Sequence, residues 1–196
     1  MNVRILLSAI PVLLFLGTRQ VAPPWAAILA GFVATAVITY ANRRDRLLGV
    51  LTMYGFAIVA ICAVVGIAWD NEKAYLAAGP LSDFLFVPLY VGSVFIGRPL
   101  IGGISRELMP AFVQHIPLNA PVYRWLSLAW GLYDTSQGLL RTFLLRELSV
   151  NEYVIISRMV NLPLSALMVG VTAAFVWRAA RHHRGSQTRF LAPEPA

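Results

Sequence analysis

Polar and ionisable side chains recur at helical spacing inside two long apolar segments of the C-terminal half. Asp134, Gln137 and Arg141 are spaced i, i+3 and i+7, which places them on one face of a helix. Arg158 and Asn161 repeat the first interval of this pattern on the next apolar segment. Ionisable groups at membrane depth are costly, so they normally face the interior of a helix bundle and pair with one another. The spacing therefore predicts paired charges inside a membrane bundle.

The rise of an α-helix gives the depth of these charges. At about 1.5 Å per residue, Arg141 lies roughly 7–8 Å and Arg158 roughly 9 Å below the same end of their helices. Asp83 and Asp134 are the candidate anionic partners. Two interpretations are open: an ion-pair cluster that fixes helix register, or a site for an anion, a lipid headgroup or a proton-coupled path through Asp134. The predicted network comprises Asp83, Asp134, Gln137, Arg141, Arg158 and Asn161.

No catalytic or cofactor motif accompanies these residues in the sequence. It lacks a glycine-rich phosphate loop, a Gly-x-Ser-x-Gly nucleophile elbow and a His/Cys set at metal-ligand spacing. His182 and His183 are adjacent, and on a helix they would point about 100° apart. Cys62 is the single cysteine and lies within an apolar run. We therefore predict no catalytic residue, no metal site and no cofactor, and a protein that is not an enzyme.

The composition is that of an integral membrane protein. Of the 196 residues, 58% are hydrophobic and 13% are charged, and the mean hydropathy is +0.69. A soluble domain averages about 25% charged residues, so a disordered chain, a secreted disulfide scaffold and an ordinary cytosolic enzyme are all excluded. The net charge is +7. Because the arginines concentrate in short loops between apolar runs, they are expected to orient the chain in a membrane rather than to bind nucleic acid.

Six apolar segments approach the length of about 20 residues that a membrane span needs. The first is the shortest and contains Pro11. The sequence therefore predicts an all-α fold, in which a bundle of six transmembrane helices forms a single domain over residues 1–180. A flexible basic cytoplasmic tail is predicted over residues 181–196. The predicted spans cover residues 3–18, 21–41, 47–69, 81–97, 123–145 and 153–177.

The distribution of basic residues predicts the side of the membrane that each loop faces. With six spans, one side receives eleven basic residues and the other three, so the positive-inside rule places both termini in the cytoplasm. On that side, residues 101–122 form a predicted amphipathic segment between the fourth and fifth spans. Pro110 predicts a kink or a break near its middle. Its apolar stripe consists of Ile104, Leu108, Phe112 and Ile116.

The chain from residue 97 to residue 178 carries a series of short motifs. Gly97-Arg98-Pro99-Leu100-Ile101 ends the fourth span, Arg106-Glu107-Leu108 follows it, and Leu128-Ala129-Trp130 lies near the start of the fifth. In these motifs the sequence resembles the bacterial intracellular septation protein A family and related bacterial integral membrane families. Two features depart from the family pattern: Arg98 replaces the more usual Lys, and residues 134–137 are polar where an apolar, aromatic stretch is expected. The residues that carry the resemblance are Arg98, Pro99, Leu100 and Trp130.

The resemblance implies a bacterial inner-membrane protein that supports cell-envelope organisation or septation. Its implied partners are the lipid bilayer and membrane proteins of cell division or envelope synthesis, with no nucleic acid; the oligomeric state is open. The alternative is a small transporter or channel that uses the Asp/Arg network. Transport predicts a water-accessible cavity among spans four to six, whereas a scaffold predicts a dry core and exposed grooves of small residues. The candidate groove residues are Ala63, Gly66, Gly131 and Gly138.

Overall fold

The computed structural model describes residues 3–42, 47–113 and 116–190, and every regular element within these ranges is helical. The all-α prediction is therefore confirmed for this part of the chain. In chain order the helices are α1 (Val3–Arg19), α2 (Pro24–Asn42), α3 (Leu47–Ala68), α4 (Glu72–Leu76), α5 (Ala78–Phe95), α6 (Leu100–Leu108), α7 (Pro110–Val113), α8 (Pro121–Glu147) and α9 (Val150–Phe190).

Three stretches are long and apolar enough to cross a membrane: Val50–Ala68 in α3, Glu72–Phe95 in α4 and α5, and Val150–Arg181 in α9. Helix α2 is apolar over a shorter stretch, Pro24–Tyr40. Helix α1 is 17 residues long. Helix α8 has 27 residues, but Asp134 and other polar side chains in its interior lower its hydropathy. Length and composition in the described residues thus support a multi-pass membrane protein.

Helix α9 extends beyond the predicted end of the sixth span. It contains 41 residues, about 60 Å of helix, and continues through Phe190. Residues 178–184 are mostly arginine and alanine, which favour helix, so the change from apolar to basic sequence does not end it. The backbone of residues 181–190 is therefore helical, while residues 191–196 of the predicted tail lie outside the described part. The division into one domain and a tail stays a prediction.

Two short elements explain how the chain turns between long helices. Helix α4 was not predicted; its N-terminus is capped by Asn71, whose side-chain oxygen accepts a hydrogen bond from the Ala74 N–H at 3.3 Å. The break predicted at Pro110 is present, because α6 ends at Leu108 and α7 begins at Pro110.

The predicted apolar stripe of residues 101–122 is only partly correct. Ile116 is fully buried and Ile104 packs against the core, but Leu108 is 57% exposed. Helix α6 instead buries Ile101, Gly102 and Ser105, because Gly102 admits the Tyr123 ring on that side of the helix. The side chain of Phe112, and residues 114–115 as a whole, lie outside what the structure describes.

The chain divides into two compact units. The first comprises Met1–Leu85 and Thr135–Asn161. Its core requires close helix packing at Gly66, where an added Cβ would lie 3.2 Å from the Asn71 carbonyl oxygen and 3.1 Å from the Tyr75 Cβ. Inside a bilayer the lipid tails are as apolar as the protein's side chains, so the hydrophobic effect does not drive helices together. Close van der Waals packing of this kind holds them together instead. The buried apolar residues of this unit are Phe15, Ala27, Ile28, Ile58, Cys62, Ala63, Ala78, Tyr153 and Val154.

The second unit comprises Phe86–Asp134 and Leu162–Ala196. Tyr123 is fully buried in it, and its ring lies 3.1 Å from the position of a Cβ added at Gly102, so the glycine admits the aromatic ring against α6. The buried apolar residues of this unit are Ile101, Val113, Ile116, Ala120, Tyr123, Leu126, Val176 and Ala180.

Candidate functional site

An ion pair between α8 and α5 lies inside the first unit. The Nη1 of Arg141 is 3.1 Å from Oδ2 of Asp83 and donates a hydrogen bond to its Oδ1 at 3.3 Å. The two side chains are only 17% and 16% exposed. Arg141 lies twenty residues beyond the start of α8, whereas Asp83 lies five residues beyond the start of α5. The structure therefore brings together one acidic and one basic member of the predicted network.

A cavity of about 490 Å³ adjoins this ion pair within the first unit. Most of its wall is apolar, with Phe15 and Val59 among the lining side chains. Its polar lining includes Tyr75, Ser82, Arg141, Tyr153, Ser157 and Arg158. Asp83 is not part of the wall, so the charged groups that the described residues present to the cavity are guanidinium groups. Cavities of about 300–1,000 Å³ are typical of small-molecule sites.

Helix α9 positions three polar side chains on the cavity. Tyr153, Ser157 and Arg158 are spaced i, i+4 and i+5, which brings them to adjacent positions on one side of the helix. Arg158 lies close enough to Arg141 for electrostatic repulsion and close enough to the Tyr75 and Tyr153 hydroxyls for electrostatic interaction. The ion pairs Arg19–Glu72 and Arg141–Asp83 do not include Arg158.

The other predicted network residues occupy different positions. Gln137 is 5% exposed on α8, next to Gly138 in the first unit. Asn161 is half-buried on α9 in the same unit and makes further interactions. Asp134 belongs to the second unit, where it interacts electrostatically with Tyr90. The structure thus places Arg141 and Arg158 on one cavity and pairs Asp83 with Arg141, while the role of the whole network stays a prediction.

A polar cluster joins three helix ends of the first unit. It was not predicted from the sequence. Arg19 Nε donates to both carboxylate oxygens of Glu72 at 2.7 Å, and Arg19 Nη1 donates to Asn151 Oδ1 at 2.6 Å. These residues end α1, begin α4 and lie at the start of α9. The predicted six spans gave a signal for this cluster, because six alternating spans would place these three connections on the same side of the membrane.

The motif residues of the second unit serve to turn and anchor the chain. Gly97 has φ +76°, a left-handed conformation that glycine adopts without a Cβ clash. Pro99 is fully buried, and the Leu100 N–H donates to Ser93 Oγ at 2.9 Å. Arg98 itself is exposed. Because the contacts of this turn lie within the chain, they explain the Arg98-Pro99-Leu100 motif as a structural element.

Trp130 anchors a second set of neutral contacts. Its Nε1 donates to Thr172 Oγ1 at 2.9 Å, and its ring stacks on Tyr90 and meets Tyr133 edge-on, with ring centroids 6.2 and 5.5 Å away. The Tyr133 hydroxyl and Ser165 Oγ are 2.8 Å apart and share a hydrogen bond. These two pairs are neutral hydrogen bonds between polar groups of the same unit. In the same unit, Arg106 Nε and the Tyr123 hydroxyl are buried without a hydrogen-bond partner among the described residues.

The prediction of exposed small-residue grooves is wrong. Ala63 is 3% exposed, and a Cβ added at Gly66 would meet Tyr75 and Ile28 of the same chain. A Cβ added at Gly138 would lie 3.0 Å from the Phe84 ring. At Gly131, side chains of the same chain, Tyr90 and Val91, lie 3.6 and 3.5 Å from the added Cβ. These positions serve close packing within the chain, so they are not free for a partner helix.

Comparison with known proteins identifies one similar curated protein along almost the whole chain. The chain is 23% identical over 180 residues to the inner membrane-spanning protein YciB of Cupriavidus taiwanensis. The matched region covers 91% of this chain and 96% of that protein. No protein-family model matches the chain, and no solved structure matches it. The full-length similarity confirms the resemblance to the intracellular septation protein family, and it extends that resemblance to the N-terminal half.

Proposed function

We propose that this chain is a non-enzymatic, multi-pass inner-membrane protein that supports cell-envelope organisation or septation through contacts with other membrane proteins. The observation that carries the proposal is the similarity to an inner membrane-spanning protein over nearly the full length of both chains. The membrane-length apolar helices of the described residues support the same location. The absence of catalytic motifs from the sequence supports a role that depends on contacts.

The proposal includes six membrane spans, with both termini in the cytoplasm. Alternating spans place the α1–α2, α3–α4 and α8–α9 connections on one side, and the Arg19–Glu72–Asn151 cluster joins these three connections. The excess of basic residues in the remaining loops supports the cytoplasmic assignment of the opposite side.

Reporter cysteines test this topology. In a Cys62→Ser background, Lys73→Cys and Asn119→Cys each place one thiol at an exposed position on opposite sides of the proposed membrane. In spheroplasts, a membrane-impermeant maleimide should label position 73 directly and position 119 only after permeabilisation. Labelling of both positions in intact spheroplasts, or of position 119 alone, would refute the six-span arrangement.

Exposed apolar side chains on α8 and α9 provide the surface for lipid and partner contacts. Leu139 and Phe143 are each 61% exposed and lie four residues apart on α8. Met159 is 71% exposed on α9. In a membrane, such side chains face acyl chains or a neighbouring helix.

Photocrosslinking in native membranes tests the proposed partner contacts. A photoreactive residue is placed at Leu139, Phe143 or Met159, and the matched control places it at Ile28, which is fully buried. The proposal predicts reproducible recovery of cell-division or envelope-synthesis proteins from the exposed positions and not from position 28. Recovery of lipid adducts alone would refute it, and flux measurements in liposomes would then test the transporter alternative.

A further inference from the structure

The cavity of the first unit contains an imbalance of charge. Arg141 lines the cavity, and its charge is balanced by Asp83, which is not part of the wall; Arg141 Nη1 lies 3.1 Å from Asp83 Oδ2. Arg158 lines it as well, and no carboxylate of the described residues lies within ion-pair distance of its guanidinium group. A cation on the wall of a mostly apolar cavity at membrane depth is unfavourable without a counter-charge. The charge of this wall therefore favours an anionic ligand.

Unused hydrogen-bond donors lie beside the uncompensated charge. The Nε of Arg141 is buried and has no hydrogen-bond partner among the described residues. Ser82 and Ser157 already donate their hydroxyl hydrogens to backbone carbonyls of their own helices, so they contribute little as donors. Thr35 likewise donates to the Gly31 carbonyl. The hydroxyls of Tyr75 and Tyr153 are neutral donors on the wall, as is that of Thr39.

We propose that this cavity binds a phosphate-type oxyanion, with Arg158 as its principal charge partner and Tyr75 and Tyr153 as neutral donors. Guanidinium groups suit this role because their planar donors match the geometry of phosphate oxygens. The apolar remainder of the cavity, about 490 Å³ in all, accommodates the hydrocarbon part of a lipid whose headgroup carries the oxyanion. The same polar groups also fit a free phosphate ion, so the two sources share one chemistry.

The test measures binding to the purified full-length protein in a zwitterionic detergent. The probes are inorganic phosphate, short-chain phosphatidylglycerol and short-chain phosphatidylcholine, and the readouts are thermal stabilisation and bound mass by native mass spectrometry. Saturable binding of phosphatidylglycerol but not phosphatidylcholine identifies a lipid headgroup as the ligand. Binding of inorganic phosphate with an affinity equal to that of phosphatidylglycerol identifies the free ion.

Two variants and a matched control assign the binding to this cavity. Arg158→Gln should weaken binding of the preferred probe about tenfold or more, since it removes a charge-assisted contact. Ser157→Asp introduces a carboxylate next to Arg158 on the wall, so it should abolish anion binding while keeping the protein folded. Arg146→Gln removes an exposed arginine outside the cavity and should leave affinity within about twofold of wild type.

The proposal is overturned if neither anionic probe binds the wild-type protein, or if Arg158→Gln and Ser157→Asp bind the preferred probe as tightly as the wild-type protein does. It does not depend on the proposed function, because binding is measured on the isolated protein and partner contacts are measured in native membranes. A negative result in one experiment therefore leaves the other intact.

Discussion

The two units of this protein treat buried polar groups differently. In the second unit, Trp130 is hydrogen-bonded to Thr172 and Tyr133 to Ser165, and both pairs are neutral. Two buried polar atoms of that unit, Arg106 Nε and the Tyr123 hydroxyl oxygen, have no hydrogen-bond partner among the described residues. In the first unit, a buried charge pair lies beside a cavity whose described wall carries two guanidinium groups and no carboxylate. Neutral hydrogen bonds inside a membrane protein hold helices together at modest cost, whereas charges demand compensation. The comparison therefore separates a unit whose described inter-helix polar pairs are neutral from one that holds a buried charge pair beside a cavity lined by two guanidinium groups.

Breaking the charge pair of the first unit should give the largest loss of stability. Asp83→Ala leaves Arg141 partly buried without its carboxylate, and removal of one partner of a buried pair typically costs about 3–5 kcal/mol. The double variant Asp83→Ala/Arg141→Met should be more stable than Asp83→Ala, because no unpaired charge remains. The free energy of unfolding in mixed micelles measures both effects. Equal stability of the single and double variants would show that the pair is not coupled.

Filling a close contact with the backbone in the first unit should have the next largest effect. Gly66→Ala brings a Cβ to 3.2 Å from the Asn71 carbonyl oxygen, a backbone atom that cannot rotate away. We expect a loss of about 1–3 kcal/mol in the free energy of unfolding. Gly55→Ala on the same helix is the matched control, because no atom lies within 4 Å of its added Cβ. It should be neutral or stabilising by up to about 1 kcal/mol, and a loss as large as that of Gly66→Ala would contradict the packing argument.

Removing a neutral hydrogen bond of the second unit should have the smallest effect. Thr172→Val takes the acceptor from Trp130 Nε1 and should cost about 1 kcal/mol in the free energy of unfolding. Thr142→Val is the control, since the Thr142 hydroxyl donates to the Gly138 carbonyl of its own helix. A double-mutant cycle with Trp130→Phe isolates the contact. A coupling energy near zero would show that the second unit does not rely on this pair.

The sequence predicted the long helices well because hydropathy marks them directly. The third span was predicted at residues 47–69 and observed as Leu47–Ala68. Helix α4 was missed, since five residues capped by Asn71 give no periodic signal. The end of α9 was placed too early because hydropathy reports the membrane boundary and not the helix boundary.

The candidate site could be predicted only in part. Asp83 was predicted as a possible partner of Arg141 from the depth of the charges along their helices. In the structure, Arg141 Nη1 lies 3.1 Å from Asp83 Oδ2. Tyr75 was missed because its place beside Arg158 depends on the packing of α4 against other helices, which no spacing along the chain reveals. The small residues were recognised, but the sequence does not show which side chain fills the space next to a glycine. The groove prediction therefore failed at Gly66 and Gly138.

The most direct test of the charge imbalance in the first unit compares the two arginines of its cavity. Arg141→Met and Arg158→Met are purified in phosphate-free buffer and delipidated detergent, and their thermal unfolding midpoints are measured against the wild type. Because Asp83 compensates Arg141 and no described carboxylate compensates Arg158, Arg141→Met should lower the midpoint and Arg158→Met should leave it unchanged or raise it. An equal decrease for both variants would show that Arg158 is already paired within the protein, and would contradict the account.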